Sequence, residues 1–494
     1  MSNKIQVMKF GGTSIGDADC IKRVSRIITD ENNKGHCVVV VVSAMNGVTN
    51  RLVAAAHSAA KGDEAASYEL GRDLRKQHAE AIKELVSNEV DRARLATSLD
   101  RIIGDVESLC RGTALLRDLT PRAFDAISGV GEKLSSHLIA ASVSEFGANA
   151  VAIEATELIV TNEEYGKAEP YMAQTRESAQ ARLLPLLNEG KIPIVTGFIG
   201  ATKEGILTTL GRGGSDYSAT ILGAALDAAE VIIWTDTDGV MTADPRLVVD
   251  ARTLRQISYN EAAELAYFGA RVLHPKTLKP VIGASIPVWI RSSFEPEKPG
   301  TRISHASKQG SDTQTDGVKA VTAIRDVSLI TVNGCGMVGL PGVAAKAFAA
   351  AASAHANILM ISQSSSEYDI CFVVPTPEAE RTARVLRLAF AHDLAHHEVD
   401  QIDVDSNVAI VAVIGERMRG TAGIAGRTFS AIGSAGINII VIAQGSSEYN
   451  ISFVVEAGTA AEAVVCLHRE FDLARRFASG NVETLSSSIQ LQPI

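Results

Sequence analysis

Apolar residues in the first half of the chain come in short unbroken runs, not in alternation with polar ones. Residues 37–42 and 231–234 are such runs, and 6–10 and 192–198, each with polar positions inside it, are further strand candidates. A run that stays apolar predicts a strand buried on both faces, as in a parallel sheet. Residues 150–153 and 158–161 read as shorter strands. Between the runs the apolar spacing lengthens to that of a helix. Ile21, Val24 and Ile28 share one face, and further helices are expected from about Arg51, from Ser128 to Ser144 and from Ser215 to Leu226. Residues 64–117, rich in charge, Leu and Ala, read as a helical insertion or lid with a solvated outer face. Strands alternating with helices predict an α/β domain with a mainly parallel sheet.

The second half repeats itself. At a constant offset of 81 residues Gly334 recurs as Gly415, Met337 as Met418, Gly342 as Gly423, Phe348 as Phe429 and Asn357 as Asn438. Residues 363–370 recur as 444–451 without a gap. Each copy reads as strand, glycine-bounded loop and helix, two strands, then a second helix. That is a βαββα unit, ferredoxin-like once a last strand closes it. Residues 398–404 can close the first copy, and 318–324 offer one more strand. The two copies are therefore expected to share strands and pack as one block. Residues 295–314 are rich in Pro, Gly, Ser, Lys and Thr and read as a linker. The expected organisation is an α/β domain over 1–295, a linker over 296–317, and repeat domains over 318–405 and 406–494, with 318–324 available to the second.

At 494 residues the chain exceeds one hydrophobic core, in keeping with several domains. A net charge of −10 without a Lys/Arg cluster argues against nucleic acid or an anionic membrane surface as partner. The apolar runs are too short to span a bilayer, and the first residues lack the apolar core of a secretory signal. Six cysteines without a C-x-x-C or His-paired spacing read as reduced thiols of a cytoplasmic protein, and no metal site is expected.

Candidate chemistry sits where strands end. Thr209-Leu210-Gly211-Arg212-Gly213-Gly214-Ser215-Asp216 combines glycines that admit a ligand to the backbone, a helix start capped by Ser215 or Asp216, a guanidinium fork and a carboxylate. A surface turn with flexible glycines is the plainer reading of this stretch alone. Lys9 precedes Gly11-Gly12-Thr13-Ser14 and a helix, another phosphate cradle; its spacing is neither a Walker A loop nor G-x-G-x-x-G. Lys9 could equally be a solvated strand-end charge. Ser43 and Thr49 follow a central strand, where open α/β sheets bind ligands. Glu132 near a helix start suits the macrodipole, or an ammonium group. Residues 235–246 gather Thr235, Asp236, Asp238, Asp244 and Arg246, for which turn propensity accounts only in part. His274, before a proline, reads as structural.

Taken in order, Lys9-Phe10-Gly11-Gly12-Thr13-Ser14, Val42-Ser43-Ala44-Met45, Gly131-Glu132, Thr209 to Asp216, Trp234-Thr235-Asp236, Asp244-Pro245-Arg246 and Val272-Leu273-His274-Pro275 resemble the aspartate kinase family of the amino-acid kinase superfamily. Each motif is weak, but seven in sequence over nearly the whole chain are specific. The resemblance implies the amino-acid kinase fold and transfer of the ATP γ-phosphate, with Mg2+, to the side-chain carboxylate of L-aspartate. The product is 4-phospho-L-aspartate, the first step towards lysine, threonine and methionine. It implies that Lys9 neutralises the transferring phosphoryl and that Gly11, Gly12, Thr13 and Ser14 hold the ATP phosphates. Arg212, with Gly213, Gly214 and Ser215, would clamp the aspartate α-carboxylate, Glu132 would accept from its α-ammonium, and Thr49 would help hold it. Asp216 would orient Lys9, and Thr235, Asp236, Met241, Arg246 and Arg271 would line the nucleotide pocket. The family often has Tyr at the position of Met241 and Lys at that of Arg271.

The repeats resemble ACT domains, the amino-acid-sensing modules of this family. This implies feedback inhibition by an end-product amino acid, threonine favoured over lysine. Met337, Gly339, Asn357, Ile358, Gln363, Ser364, Asn438, Ile439 and Gln444 are the candidate effector contacts. It also implies a homodimer or homotetramer through the ACT domains; a purely structural dimerisation block is the alternative. No homoserine dehydrogenase portion is expected to follow. Two other readings are a related kinase such as glutamate 5-kinase and a catalytically silent amino-acid or nucleotide sensor. The Glu132/Arg212 pair and the tandem repeat argue against the first, and Lys9, Arg212 and Asp216 against the second.

Overall fold

The computed structural model describes residues 4–270, 273–305, 317–337, 341–363, 368–416, 418, 421–443 and 449–476. The chain divides into two compact units, Met1–Val240 with Arg255–Ser311, and Met241–Leu254 with Asp312–Ile494. No helix among the described residues is long and apolar enough to cross a membrane.

The first unit has ten strands among its described residues, eight of them in one sheet. In chain order its strands are β1 (Ile5–Phe10), β2 (Cys37–Val42), β3 (Ala150–Ile153), β4 (Ile192–Thr196), β5 (Ile199–Ala201), β6 (Leu207–Thr209), β7 (Glu230–Thr235), β8 (Gln256–Ser258), β9 (Val288–Ser292) and β10 (Thr301–Ser304). The main sheet runs β3-β4-β2-β1-β7-β9-β10-β8, and β5 and β6 form a separate hairpin. Only β9 and β10 pair antiparallel in the main sheet. In β2, Cys-Val-Val-Val-Val-Val, five of six positions are buried; stiff β-branched side chains suit a strand covered on both faces. β1 lies between β2 and β7, which places Lys9 beside Val41 and Ile233.

Helices cover both faces: α1 (Ala18–Asn33), α2 (Val48–Ala60), α3 (Ala65–Leu85), α4 (Glu89–Leu116), α5 (Pro121–Ser128), α6 (Val130–Glu145), α7 (Met172–Asn188) and α8 (Gly214–Ala225). α3 and α4 form the expected helical insertion, packed on each other and on the core through Leu74, Ile82, Leu99 and Ile103. α5 and α6 join at Gly129, where a Cβ would stand 2.5 Å from Ile199 Cγ2, so the hairpin packs tightly into the bend.

Four local expectations change. Residues 158–161 make no strand; Ala155–Glu157 is a short 3-10 turn, followed by isolated bridges at Val160 and Thr161. The apolar run from Ile192 ends at Thr196, and Phe198, at φ 68°, turns the chain into the hairpin. α8 is capped by Gly213 with no side-chain hydrogen bond, not by Ser215 or Asp216. The stretch read as a linker contributes β10 to the main sheet, where Thr301 and Ile303 are fully buried.

The second unit has one six-stranded antiparallel sheet. Its strands are β11 (Val318–Asn333), β12 (Met360–Gln363), β13 (Asp369–Pro375), β14 (Gln401–Gly415), β15 (Ile439–Ala443) and β16 (Asn450–Glu456), in the order β12-β13-β11-β14-β16-β15. The repeats do share strands. Residues expected as four strands merge into two long ones, β11 and β14, which pair along their length with irregular register between Ile324 and Leu329. The first repeat's core gathers around Phe372, Phe390 and Leu386, and the second's around Phe453, Phe471 and Leu467. Residues Met241–Leu254 join the second core through Ala243, Val248 and Ala251. Thr242 fastens them: its carbonyl accepts from the Val321 N–H at 2.9 Å, and its hydroxyl bonds the buried His468 at 2.9 Å.

Candidate active site

A cavity of about 580 Å³ opens at the carboxyl ends of β1 and β2, the position where open α/β sheets bind ligands. Its walls include Lys9, Gly12, Thr49, Glu132, Arg212, Gly213, Gly214, Ser215 and Asp216. Nine residues singled out in sequence thus meet around one space, although they span more than 200 positions of the chain.

Lys9 comes up from β1 and is nearly buried. Its ammonium lies 2.5 Å from Asp216 Oδ1 on the first turn of α8. A Cβ on Gly11 would stand 3.3 Å from Lys9 Nζ, and one on Gly12 would stand 3.1 Å from the Ala44 carbonyl oxygen. Glycine therefore leaves backbone next to the ammonium open to an approaching anion. These residues fit a nucleotide phosphate.

Glu132, on the first turn of α6, is 3% exposed. Its Oε1 accepts from the Ala44 N–H at 3.1 Å, while Oε2 is buried without a hydrogen-bond partner among the described residues. Burial pushes its carboxyl up to about 8, against the Ala44 and its own backbone N–H groups and the Lys9 charge. An acceptor in this state suits a cationic ligand group. Arg212 is exposed and has no hydrogen bond or ion pair among the described residues. Its turn holds Gly211 at φ 78° and Gly213 at φ 71°. Behind the turn the Tyr217 hydroxyl donates to Glu169 Oε2 at 3.1 Å, and Lys276 pairs with Glu169 Oε1 at 3.0 Å. Burial first, then the Arg212 and Lys276 charges, lower the His274 imidazole, whose Cβ abuts Gly213.

Other expected residues lie outside this wall. Ser14 is buried and accepts from the Ser293 hydroxyl at 2.8 Å; Thr13 is exposed on the short turn after β1. Thr235 donates to Asp236 at 3.1 Å where β7 ends. Met241 and Arg246 fold with the second unit, where Arg246 is bonded to Asp244. Arg271 lies outside the described residues, as do Gly339, Ser364 and Gln444. Met337 is a core residue of the first repeat, 3% exposed. Asn357 and Asn438 are exposed; Ile358 and Ile439 pack against the two repeat cores, and Gln363 ends β12.

The cavity wall also holds Asn46, Phe124, Ser128, Gly166 and Phe198, which sequence reasoning missed. Asn46 lies between Ser43 and Thr49, both singled out in sequence, but the others belong to segments whose local patterns show only packing or turns.

A parallel sheet carrying this cavity, followed by strand-sharing βαββα repeats, defines an amino-acid kinase joined to ACT domains. Residues 4–292 match the amino acid kinase family, and 330–390 and 411–471 match the ACT domain. Lysine-sensitive aspartokinase 3 of Escherichia coli is 32% identical over 470 residues, covering 94% of this chain and 99% of that one. The solved structure of E. coli aspartokinase III in complex with aspartate and ADP superposes with a TM-score of 0.77 at 32% identity, over 94% of this chain and 99% of that one. Bifunctional aspartokinase/homoserine dehydrogenase 2 of Arabidopsis thaliana chloroplasts is 36% identical over 471 residues, 95% of this chain and 51% of the relative. The chain spans about half the length of the bifunctional relatives it matches. It belongs to the aspartokinases, within the amino acid kinase family.

Proposed function

We propose that the chain phosphorylates the side-chain carboxylate of L-aspartate with MgATP. The observation that carries this reading is the joining, in one cavity, of Glu132, a buried carboxylate lacking one partner among the described residues, and Arg212, a guanidinium unpaired among them, with the Lys9 ammonium. Glu132 and Arg212 suit the ammonium and carboxylate of an α-amino acid, and Lys9 suits a phosphate. The E. coli relative solved with aspartate and ADP supports both ligands.

ATP supplies the phosphoryl group when bound, and Mg2+ spreads its charge. The nucleophile is a carboxylate, already ionised at neutral pH, so no residue need act as general base. What remains for the chain is to position two anions and offset their repulsion. Lys9 neutralises phosphoryl charge, Asp216 holds Lys9 in place, and the amides at Gly11 and Gly12 face the phosphates. Arg212 and Glu132 fix the amino acid by its α-groups, leaving the side chain to reach the phosphoryl. Glutamate, one methylene longer, overshoots that distance. An assay of ADP release with L-aspartate, with L-glutamate and with neither tests this: turnover with aspartate alone is expected, and glutamate turnover at an equal rate contradicts it.

The reading extends to regulation. The repeats would sense an end-product amino acid, threonine ahead of lysine, and assemble the enzyme as a homodimer or homotetramer. Exposed Ile361 on β12 and Ile440 and Ile442 on β15 support an apolar face that a second subunit covers. The E. coli structure with lysine and aspartate keeps lysine in contention. Titration of aspartate-dependent turnover with each amino acid decides between them; inhibition by neither removes the sensing role.

A further inference from the structure

We infer that Asp125 is a positioning residue, which sets the spacing between the two groups that hold the ends of the amino-acid substrate. The inference rests on the aspartate-kinase reading of the cavity.

Asp125 lies on α5, behind the wall that Phe124 and Ser128 present to the cavity, and is fully buried. Its Oδ2 accepts from the Thr209 N–H at 2.7 Å and from the Gly166 N–H at 2.9 Å. Its Oδ1 accepts from the Thr209 hydroxyl at 2.8 Å. Three donors from two distant segments thus converge on one carboxylate. No cation pairs with it among the described residues, so it is not half of a salt bridge.

What these bonds join is specific. The helical rod bearing Asp125 bends at Gly129 and carries Glu132 two turns further on. Thr209 ends β6, and Arg212 follows three residues later. The Gly166 carbonyl oxygen lies 2.8 Å from where a Gly211 Cβ would stand, so the Gly166 loop presses on the Arg212 turn itself. One side chain therefore ties the element bearing the ammonium acceptor to the element bearing the carboxylate clamp. The hairpin strands are three residues each and lie outside the main sheet, so the sheet alone does not fix where Arg212 stands. An apolar residue at 125 would leave the buried Thr209 N–H and the part-buried Gly166 N–H without their acceptor.

The chemistry also predicts which replacement is tolerated. In Asp125→Asn the amide oxygen can take the place of Oδ2 and accept both N–H groups, while the amide nitrogen donates to Thr209 Oγ1. Asp125→Ala keeps none of these bonds, and Thr209→Val removes only the hydroxyl bond. The test is steady-state kinetics of the full chain, varying aspartate and ATP separately. Asp125→Ala should raise the aspartate KM by about tenfold or more, lower kcat less, and leave the ATP KM within about twofold. Asp125→Asn should return the aspartate KM to within about threefold of wild type, and Thr209→Val should raise it about threefold. A merely structural role would reduce the active fraction, hence kcat, without moving the aspartate KM. An unchanged aspartate KM in Asp125→Ala, equal rises for aspartate and ATP, or no rescue by Asn each overturns the inference. If Asp125→Ala does not fold, Thr209→Val decides in its place: a rise confined to the aspartate KM supports the inference, and no rise overturns it. Absence of aspartate turnover in the wild type instead removes the kinase reading, and this inference with it.

Discussion

In the turn after β1, Gly11 keeps extended backbone at φ −77°, whereas in the turn ahead of α8, Gly211 and Gly213 take φ values of 78° and 71°. Both turns face the cavity. In the first, any residue could adopt the Gly11 conformation, and the constraint comes from nearby atoms: a Cβ at Gly11 would crowd Lys9 Nζ, and one at Gly12 the Ala44 carbonyl oxygen. In the second, glycine is required by the backbone itself, since an L side chain in the left-handed region costs about 1–2 kcal/mol. One turn is kept clear for a ligand, and the other is bent to aim Arg212. The same residue type thus serves access in one place and conformation in the other, so damage to the two turns should appear in different kinetic constants.

The largest separation should come from the two cations. Lys9→Ala should lower kcat about a hundredfold to a thousandfold with little change in aspartate binding, because Lys9 acts on charge that develops during transfer. Arg212→Ala should raise the aspartate KM about a hundredfold with a smaller loss in kcat. Steady-state kinetics with aspartate binding by calorimetry reads both; equal losses of binding and rate in Lys9→Ala would contradict its assignment. Alanine at the glycines gives a smaller contrast. Gly213→Ala, strained in φ and pressed against His274, should raise the aspartate KM about tenfold. Gly12→Ala should act on the ATP KM instead, by about threefold to tenfold. If both act on one constant, the division of labour between the turns is wrong.

The smallest effect concerns pH. Glu132 holds its proton to about 8 in the folded chain and loses it in the ordinary carboxylate range when unfolded. The folded state thus binds more protons between about pH 5 and pH 8, and stability contributed by this site falls as pH rises through that window. Glu132→Gln removes the penalty. Its melting temperature relative to wild type should therefore rise from about pH 5 to about pH 8, by a few degrees. In the same window kcat/KM for aspartate in the wild type should rise with pH, since the α-ammonium requires the ionised carboxylate. A flat profile would show that Glu132 is already ionised.

Legibility in the sequence followed the range of each interaction. The strands were readable because burial on both faces writes an unbroken apolar run, as in β2. Lys9, Arg212 and Asp216 were readable because each adjoins glycines that mark a strand end. Asp125 was not, since its partners lie 41 and 84 residues away and α5 shows only a lone acid between apolar neighbours. The β5–β6 hairpin was hidden because three-residue strands are too short to show a period. Residues Met241–Leu254 were read for their Asp-Pro turn, which masked the three small apolar side chains that set them in the second repeat's core. The shared strands β11 and β14 were foreseen in kind, but not their fusion into single long strands.

The most direct measurement is a crystal structure of the full chain with L-aspartate and a nonhydrolysable ATP analogue. The aspartate α-carboxylate should lie on Arg212, its ammonium on Glu132 Oε2, and the terminal phosphate within hydrogen-bond distance of Lys9. Aspartate bound away from Arg212 and Glu132, or a phosphate held away from Lys9, would contradict the assignment of this cavity.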